Sequence, residues 1–187
     1  ISFHKPKSLL GYLISIRTLG KYSHCEFILN DYVYLSNPGG VRIKPFAYKE
    51  NMDIFELNEH IEIPIIMTEF NKLKGKGYDY QGIFLTQLID LGIDHKEKYF
   101  CSELCIYLIN KGLDESLTYN LKAFKPSAFS PSKLFKYLNF MELIKELKIA
   151  KTDSEELGMD TADIDTEIAE LKAKVVSTQA KLKELEG

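Results

Sequence analysis

Apolar and polar residues alternate with a period of two over much of the first third of the chain, and a helical period dominates after it. The alternation predicts short strands at residues 1–4, 23–29, 32–35, 41–44, 52–57 and 61–63. The helical period predicts helices at residues 9–16, 64–75, 82–89, 102–110 and 131–140, the last of which can extend to 149. Because strands come early and helices late, we expect an α+β fold in which an antiparallel sheet packs on helices.

The ends of several predicted helices carry capping signals. Ser8 precedes the first helix and is expected to be its N-cap. Pro64 and Pro131 suit the first turn of a helix, where the missing N–H costs nothing. Gly112 follows the helix at 102–110 and is expected to cap its C-terminus.

The turn between the second and third strands is Asn30-Asp31, a pair that suits a two-residue hairpin. Such a turn pairs Leu29 with Tyr32. Counting outward from this pair places His24 opposite Asn37, so that the two residues share one face of the sheet.

The end of the chain has a different pattern, in which apolar residues recur at alternating spacings of four and three. The positions of this stripe are Ile164, Ile168, Leu171, Val175, Thr178, Leu182 and Leu185. This heptad repeat predicts a coiled-coil-like helix that mediates self-association or docking on a partner protein through residues 161–186. The alternative is a single amphipathic helix that lies on the domain. Residues 151–160 are polar and are expected to form a linker, which divides the chain into a domain at 1–150 and a tail at 151–187.

The charge balance excludes some classes of partner. Lys and Arg number 24 against 27 Asp and Glu, so the net charge is −3 and gives no bulk attraction to nucleic acid. No stretch approaches the roughly 18 apolar residues of a membrane span. Since the chain begins within a predicted strand, without Met or a signal peptide, we expect further residues to precede Ile1.

Three cysteines are present, at Cys25, Cys101 and Cys105. This number is too small and odd for a disulfide framework, and it indicates free thiols in the cytoplasm or another reducing compartment. Cys101 and Cys105 lie four apart on a predicted helix, but no second pair of ligands stands near them. We therefore do not expect a zinc site.

Cys101 is the strongest candidate for chemistry, because it lies where a loop meets a predicted helix. Unpaired N–H groups and the positive dipole end at a helix N-terminus stabilise a thiolate and lower its pKa. The same N–H groups can hold the oxyanion of a tetrahedral intermediate. On this segment alone, a buried structural cysteine is an equally good interpretation.

His24 is the candidate base, and its face of the strand gives it polar neighbours. With the two-residue turn, Glu26 and Asn37 share that face, and Asn37 supplies a neutral amide able to orient the ring. Glu26 could contact substrate or help to orient the ring, although an exposed strand carboxylate is the simpler interpretation. A three-residue turn would bring Ser36 to the face of His24 instead. Cys25 faces the other way, into the core, and is a poor candidate nucleophile.

Other titratable residues have simpler explanations. His4, His60 and His95 have no motif around them and are expected at the surface. Glu103 lies in the first turn of the Cys101 helix, where the dipole favours a carboxylate.

Four short segments together resemble one known family. They are SH at 23–24, GGVR at 39–42, YDY at 78–80 and YFCSEL at 99–104, of which the last is the most specific. This set resembles the circularly permuted branch of the NlpC-type papain-like cysteine hydrolases. The resemblance covers roughly residues 1–140 and leaves the tail outside.

The resemblance implies a papain-like fold with the His strand first and the Cys helix last. It also implies acyl transfer to water through a thioester, with Cys101 as nucleophile, His24 as general base and Tyr78 lining the site. The third polar residue of the family lies on the strand after the His strand, where this chain offers Asn37 or Ser36. The implied substrates are amides or esters, either cell-wall peptides or lipids, and no cofactor is required.

A second class of function stays open on the sequence. The heptad tail favours a structural or assembly protein, for example of a virus particle, that retains the fold and is anchored by its C-terminal helix. Cys101 and His24 favour the hydrolase. A short distance between the Cys101 sulfur and the His24 ring, in an open cleft, would support an enzyme.

Overall fold

The computed structural model describes residues 1–57, 60–78, 98–113, 121 and 126–184. Within these residues the chain forms an α+β fold with five helices and a five-stranded antiparallel sheet, which confirms the predicted class at this level. The strands of the sheet are β1 (Ser2–His4), β2 (His24–Leu29), β3 (Tyr32–Asn37), β4 (Gly40–Pro45) and β5 (Met52–Ile54). Their order across the sheet is β4-β3-β2-β1-β5.

The helices follow the predicted order along the chain. They are α1 (Leu9–Arg17), α2 (Ile63–Leu73), α3 (Cys101–Gly112), α4 (Pro131–Glu156) and α5 (Ala162–Glu184). A separate pair of short parallel strands consists of β6 (Gly77–Tyr78) and β7 (Lys98–Tyr99). The helix predicted at 82–89 lies outside the described residues.

The β2–β3 hairpin has the predicted turn. Leu29 pairs with Tyr32, and Asn30 and Asp31 have φ angles of 47° and 60°. A two-residue turn with both central residues at positive φ matches the twist of the flanking strands. The two-residue turn is confirmed, and the three-residue alternative is wrong.

The strand predicted at 61–63 is wrong. Ile61 makes an isolated bridge to Leu113, and α2 begins at Ile63 with Pro64 in its first turn. Proline has no N–H for a sheet ladder but fits the first turn of a helix, so the helix start overrides the short apolar run.

Gly112 has a different role from the predicted C-terminal cap. It is the last residue of α3, and Leu113 follows it as the cap residue. A Cβ atom at position 112 would lie 2.3 Å from the side chain of Ile66. Glycine is required here because α2 and α3 pack closely at this point.

The hydrophobic core lies between the sheet and α3. Leu104, Cys105 and Leu108 of α3 are fully buried, in one cluster with Phe3 of β1 and Phe27 of β2. Because α3 packs directly on β2, the core fixes the position of the first turn of α3 relative to the start of that strand.

The tail folds back on the domain as a helical hairpin. Ile168, Leu171 and Val175 of α5 are buried, and α5 packs along α4. Leu171 and Val175 belong to the same core cluster as Ile144 of α4. The heptad stripe is therefore covered by the chain's own α4, as in the alternative of an amphipathic helix lying on the domain. The stripe positions 178, 182 and 185 lie outside the described side chains.

The predicted linker at 151–160 is wrong over its first half. α4 continues to Glu156, and Leu157 and Gly158 end it. Polar residues at 151–156 lie on a helix rather than in a loop, and Lys151 Nζ contacts Asp165 Oδ1 of α5 at 2.6 Å. The predicted domain boundary at 150 therefore falls inside a helix.

Candidate active site

Cys101 is the first residue of α3, at the helix N-terminus where the sequence placed it. Phe100 is the cap residue, and its backbone N–H donates to the Glu103 carboxylate at 3.1 Å. Glu103 therefore caps the helix N-terminus, in addition to its predicted favourable interaction with the positive end of the helix dipole. The N–H groups of a first helical turn have no acceptor within the helix, and they surround the Cys101 side chain with positive potential.

His24 is the first residue of β2, and its ring lies close enough to the Cys101 side chain for their charges to interact strongly. The two residues meet because β2 and α3 pack together and each residue begins its element. The Cys101 side chain is almost fully buried, whereas the His24 side chain retains 23% exposure. The part of the pair that solvent reaches is therefore the His24 ring.

The environment of this pair favours a thiolate and an imidazolium. Hydrogen bonding from Cys25 and the charge of His24 hold the pKa of Cys101 well below its ordinary value, although burial opposes this. Burial disfavours the charged His24 ring, but the Cys101 thiolate and the Glu26 carboxylate outweigh it and raise the pKa of His24 to about 10. Each of the two charges therefore stabilises the other.

Glu26 is the group that orients the His24 ring. Its Oε1 atom lies 3.3 Å from His24 Nε2. A carboxylate only accepts hydrogen bonds, so Nε2 carries the proton and Nδ1 is left for the thiol. Burial alone would raise the pKa of Glu26, but hydrogen bonds from His24 and His4 hold it below its usual range. Glu26 is buried, so its interpretation as an exposed strand carboxylate is wrong.

Asn37 does not take the orienting place that the sequence assigned to it. Its Oδ1 atom accepts the backbone N–H of Gly39 at 3.1 Å, within the turn to β4. The reason lies in the pairing of β2, which joins β3 over Phe27–Leu29 but joins β1 over residues 24–26. The cross-strand neighbour of His24 is therefore on β1, and Glu26 of the same strand reaches the ring.

His4 is a member of the site that sequence reasoning missed. It pairs with His24 across β1 and β2, and its Nε2 atom lies 3.1 Å from Glu26 Oε2. The two imidazole rings are 5.5 Å apart between centroids. His4 is buried, so the expectation that it lies at the surface is wrong. No local motif identifies it, because its role depends on pairing between distant strands.

Cys25 contributes more than the predicted core packing. It is fully buried, and burial raises the pKa of its thiol, which agrees with its interpretation as a poor nucleophile. Its thiol and its backbone N–H both act to lower the pKa of Cys101. A thiol that keeps its proton is a donor to the neighbouring thiolate, and this contact was not predicted.

Tyr78 lies near Phe100, the residue that precedes Cys101. It is buried in a small cluster with Ile14 of α1 and with Phe100, the residue before Cys101. On the same side of α1, Gly11 approaches Ser23 so closely that a Cβ atom would lie 3.1 Å from Ser23 Oγ. Helix α1 therefore borders Ser23 and Phe100, the residues that precede His24 and Cys101.

Neither a metal centre nor a membrane span is found in the part of the chain that the structure describes. No three His, Cys, Asp or Glu side chains there are arranged to hold a metal ion. No helix among these residues combines the length and the apolar character needed to cross a membrane.

Comparison of the chain with protein-family models, with curated proteins and with solved structures finds no match. The site must therefore be interpreted from its own geometry.

Proposed function

We propose that this protein is a cysteine hydrolase that cleaves an amide or ester bond. The observation that carries the proposal is the contact between Cys101 and His24. A thiol with a lowered pKa, at a helix N-terminus and bonded to an oriented imidazole, is the arrangement that activates a cysteine nucleophile.

The residues support a two-step acyl transfer. The Cys101 thiolate attacks the carbonyl carbon, and the N–H groups at the start of α3 hold the oxyanion that forms. The His24 imidazolium gives its proton to the leaving oxygen or nitrogen as that bond breaks, which leaves a thioester. Neutral His24 then takes a proton from water, the hydroxide adds to the thioester carbonyl, and the Cys101 sulfur leaves. Glu26 keeps the ring in the productive tautomer throughout.

The surface of α1 favours a substrate with an apolar acyl part over a polar peptide. Large apolar side chains are exposed on this helix and just after it, namely Leu9, Tyr12, Leu13, Ile16 and Leu19. The opposite face of α1, with Gly11 and Ile14, packs toward Ser23 and Phe100, the residues that precede His24 and Cys101. An exposed apolar patch on a helix that packs beside the proposed catalytic pair suits an acyl chain or a lipid surface better than a charged peptide.

The papain-like assignment is part of the proposal. It is supported by the four segments that resemble the permuted NlpC-type family and by the chain order, in which the His strand precedes the Cys helix. The assembly-protein alternative has less support, because Ile168, Leu171 and Val175 of the heptad stripe that suggested a partner are buried on a helix that packs along α4.

Formation of an acyl-enzyme tests the proposal. The protein is mixed with p-nitrophenyl octanoate, quenched in acid and mapped by mass spectrometry, with release of p-nitrophenol followed in parallel. We expect an octanoyl thioester on Cys101 and loss of turnover in Cys101→Ala and His24→Ala. Cys105→Ala, which removes a buried thiol of the same helix, is the matched control and should keep turnover. Turnover in Cys101→Ala equal to that of the wild-type protein would refute the proposal.

A further inference from the structure

A second imidazole lies on the far side of the Glu26 carboxylate. His24 Nε2 is 3.3 Å from Oε1, and His4 Nε2 is 3.1 Å from Oε2. Since the carboxylate can only accept, each Nε2 atom is the donor. Glu26 is therefore held between two imidazole N–H groups, one on each oxygen.

The site makes the donor from His4 important, because Glu26 has almost no access to water. The Glu26 side chain is 8% exposed and that of His4 is 7% exposed. A buried carboxylate oxygen without a donor raises the free energy of the folded state. The carboxyl group can relieve this cost by rotating or by binding a proton, and either change would weaken its hold on His24 Nε2.

The position of His4 is itself fixed by the sheet. His4 lies on β1 directly opposite His24 of β2 and opposite Met52 of β5, so its backbone is paired on both sides. Ser2 Oγ, on the same face of β1, lies 3.2 Å from His4 Nε2. These contacts leave the His4 ring little freedom to turn away from Glu26.

We propose that His4 is a positioning residue that acts through Glu26. By donating to Oε2, His4 keeps Oε1 on His24 Nε2 and so keeps the other ring nitrogen toward the Cys101 sulfur. The catalytic consequence rests on the proposed function, whereas the effect on the His24 ring does not.

The test follows the His24 ring by carbon-detected NMR across pH in the full chain, without substrate. His4→Gln retains an N–H donor near the place of Nε2, whereas the shorter His4→Asn does not reach Oε2. We expect His4→Asn to lower the pKa of His24 by about one pH unit and His4→Gln to leave it close to wild type. In a protein that already carries Glu26→Gln, His4→Asn should not change the pKa of His24 further, because His4 acts on His24 only through Glu26.

His60 and Glu62 provide a control, because they form a second His–Glu pair with the same two-residue spacing as His24 and Glu26. His60 Nε2 lies 3.3 Å from Glu62 Oε1, but both side chains are exposed. His60→Asn should leave the titration of His24 unchanged. Equal effects of His4→Gln and His4→Asn, or a full effect of His4→Asn in the Glu26→Gln background, would overturn the proposal.

Two further measurements distinguish failure of the proposed hydrolase function from failure of the proposed role of His4. Iodoacetamide labelling of wild-type Cys101 tests the proposed hydrolase separately: an unreactive Cys101 together with a lowered His24 pKa in His4→Asn refutes the hydrolase and supports the role of His4. A reactive Cys101 with an unchanged His24 titration refutes the role of His4 alone. If His4→Asn does not fold, nitrogen NMR of the wild type decides, because a His4 proton on Nδ1 instead of Nε2 is incompatible with donation to Glu26.

Discussion

His24 and Glu26 lie two residues apart in β2, and their side chains meet at 3.3 Å between Nε2 and Oε1. Residues at this spacing share one face of a strand, so the contact needs no other element to bring the two groups together. It leaves the second ring nitrogen for the thiol of Cys101, which α3 brings to the start of the strand. The base and the group that orients it therefore come from a three-residue segment of sequence.

Glu26→Gln should move the alkaline limb of the activity profile to lower pH. The His24 imidazolium must protonate the leaving group, so kcat/KM falls as pH rises through the pKa of His24, which is raised to about 10. Removing the Glu26 charge lowers that pKa by about one to two pH units. Profiles of kcat/KM for p-nitrophenyl octanoate between pH 5 and about 10.5 measure the shift. Asn37→Ala is the control, and a shift in Asn37→Ala without one in Glu26→Gln would contradict the contacts seen here.

Cys101 should be the most reactive thiol of the chain. Its pKa is lowered, so thiolate is present at pH values well below the ordinary range of a thiol, whereas burial raises the pKa of Cys25. Iodoacetamide labelling at pH about 6, followed by peptide mapping, should find the label on Cys101 at least about tenfold faster than on Cys25 or Cys105. Preferential labelling of either of those two would contradict the prediction.

The parts of this site that could be predicted from the sequence are those that depend on local pattern. The Asn30-Asp31 turn set the register of β2 and β3, and the helix start placed Cys101. The role of Asn37 was wrong because it assumed that β2 pairs with β3 along its whole length. His4 was missed because its pairing with His24 depends on how two distant strands are ordered in the sheet.

The heptad stripe near the C-terminus shows a second limit on what can be predicted from the sequence. A heptad repeat gives a helix a narrow apolar face that suits packing against another helix. It does not specify whether that second helix belongs to the same chain or to another chain. Here α4 is long enough to cover the stripe, because polar residues at 151–156 continue the helix. Their polarity suggested a linker, although charged residues are equally suited to the solvent side of a helix.

Cys25→Ala should raise the pKa of Cys101. The Cys25 thiol, which keeps its proton, is the largest influence that lowers the pKa of Cys101, and so it stabilises the thiolate. Since less thiolate is then present at mildly acidic pH, the rate of Cys101 alkylation at pH about 5 should fall several-fold, while the rate at pH about 9.5 changes little. Cys105→Ala serves as the control for loss of a buried thiol. A uniform loss of rate at both pH values would indicate distorted geometry instead of a lost donor.

Ile16→Ser should reduce the preference for long acyl chains. Ile16 is 69% exposed on α1, so the change removes apolar surface without opening a cavity. Because one apolar contact with the acyl chain is lost, kcat/KM for p-nitrophenyl decanoate should fall about three- to tenfold. The value of kcat/KM for p-nitrophenyl acetate should not change. Ile149→Ser provides a matched exposed isoleucine on α4, at 54% exposure. Equal effects on both esters, or the same effect in Ile149→Ser, would show that α1 does not bind the acyl chain.

Leu171→Ala should destabilise the domain itself. Leu171 of α5 is buried in the core cluster that also contains Ile144 and Leu138 of α4, so its truncation leaves a cavity and should lower the free energy of unfolding by about 2 to 4 kcal/mol. Val176 lies on the exposed side of the same helix, and Val176→Ala should change the free energy of unfolding by less than about 0.5 kcal/mol.

Urea denaturation of both variants, with light scattering at matched concentration, separates the two roles of the heptad stripe. If α5 packs on its own α4, Leu171→Ala lowers the urea midpoint at every protein concentration and leaves the molecular mass unchanged. If the stripe instead joins two copies, the wild-type midpoint rises with protein concentration and Leu171→Ala halves the measured mass. The second result would return α5 to the self-association that its sequence suggests and would show that its packing on α4 is not the state in solution.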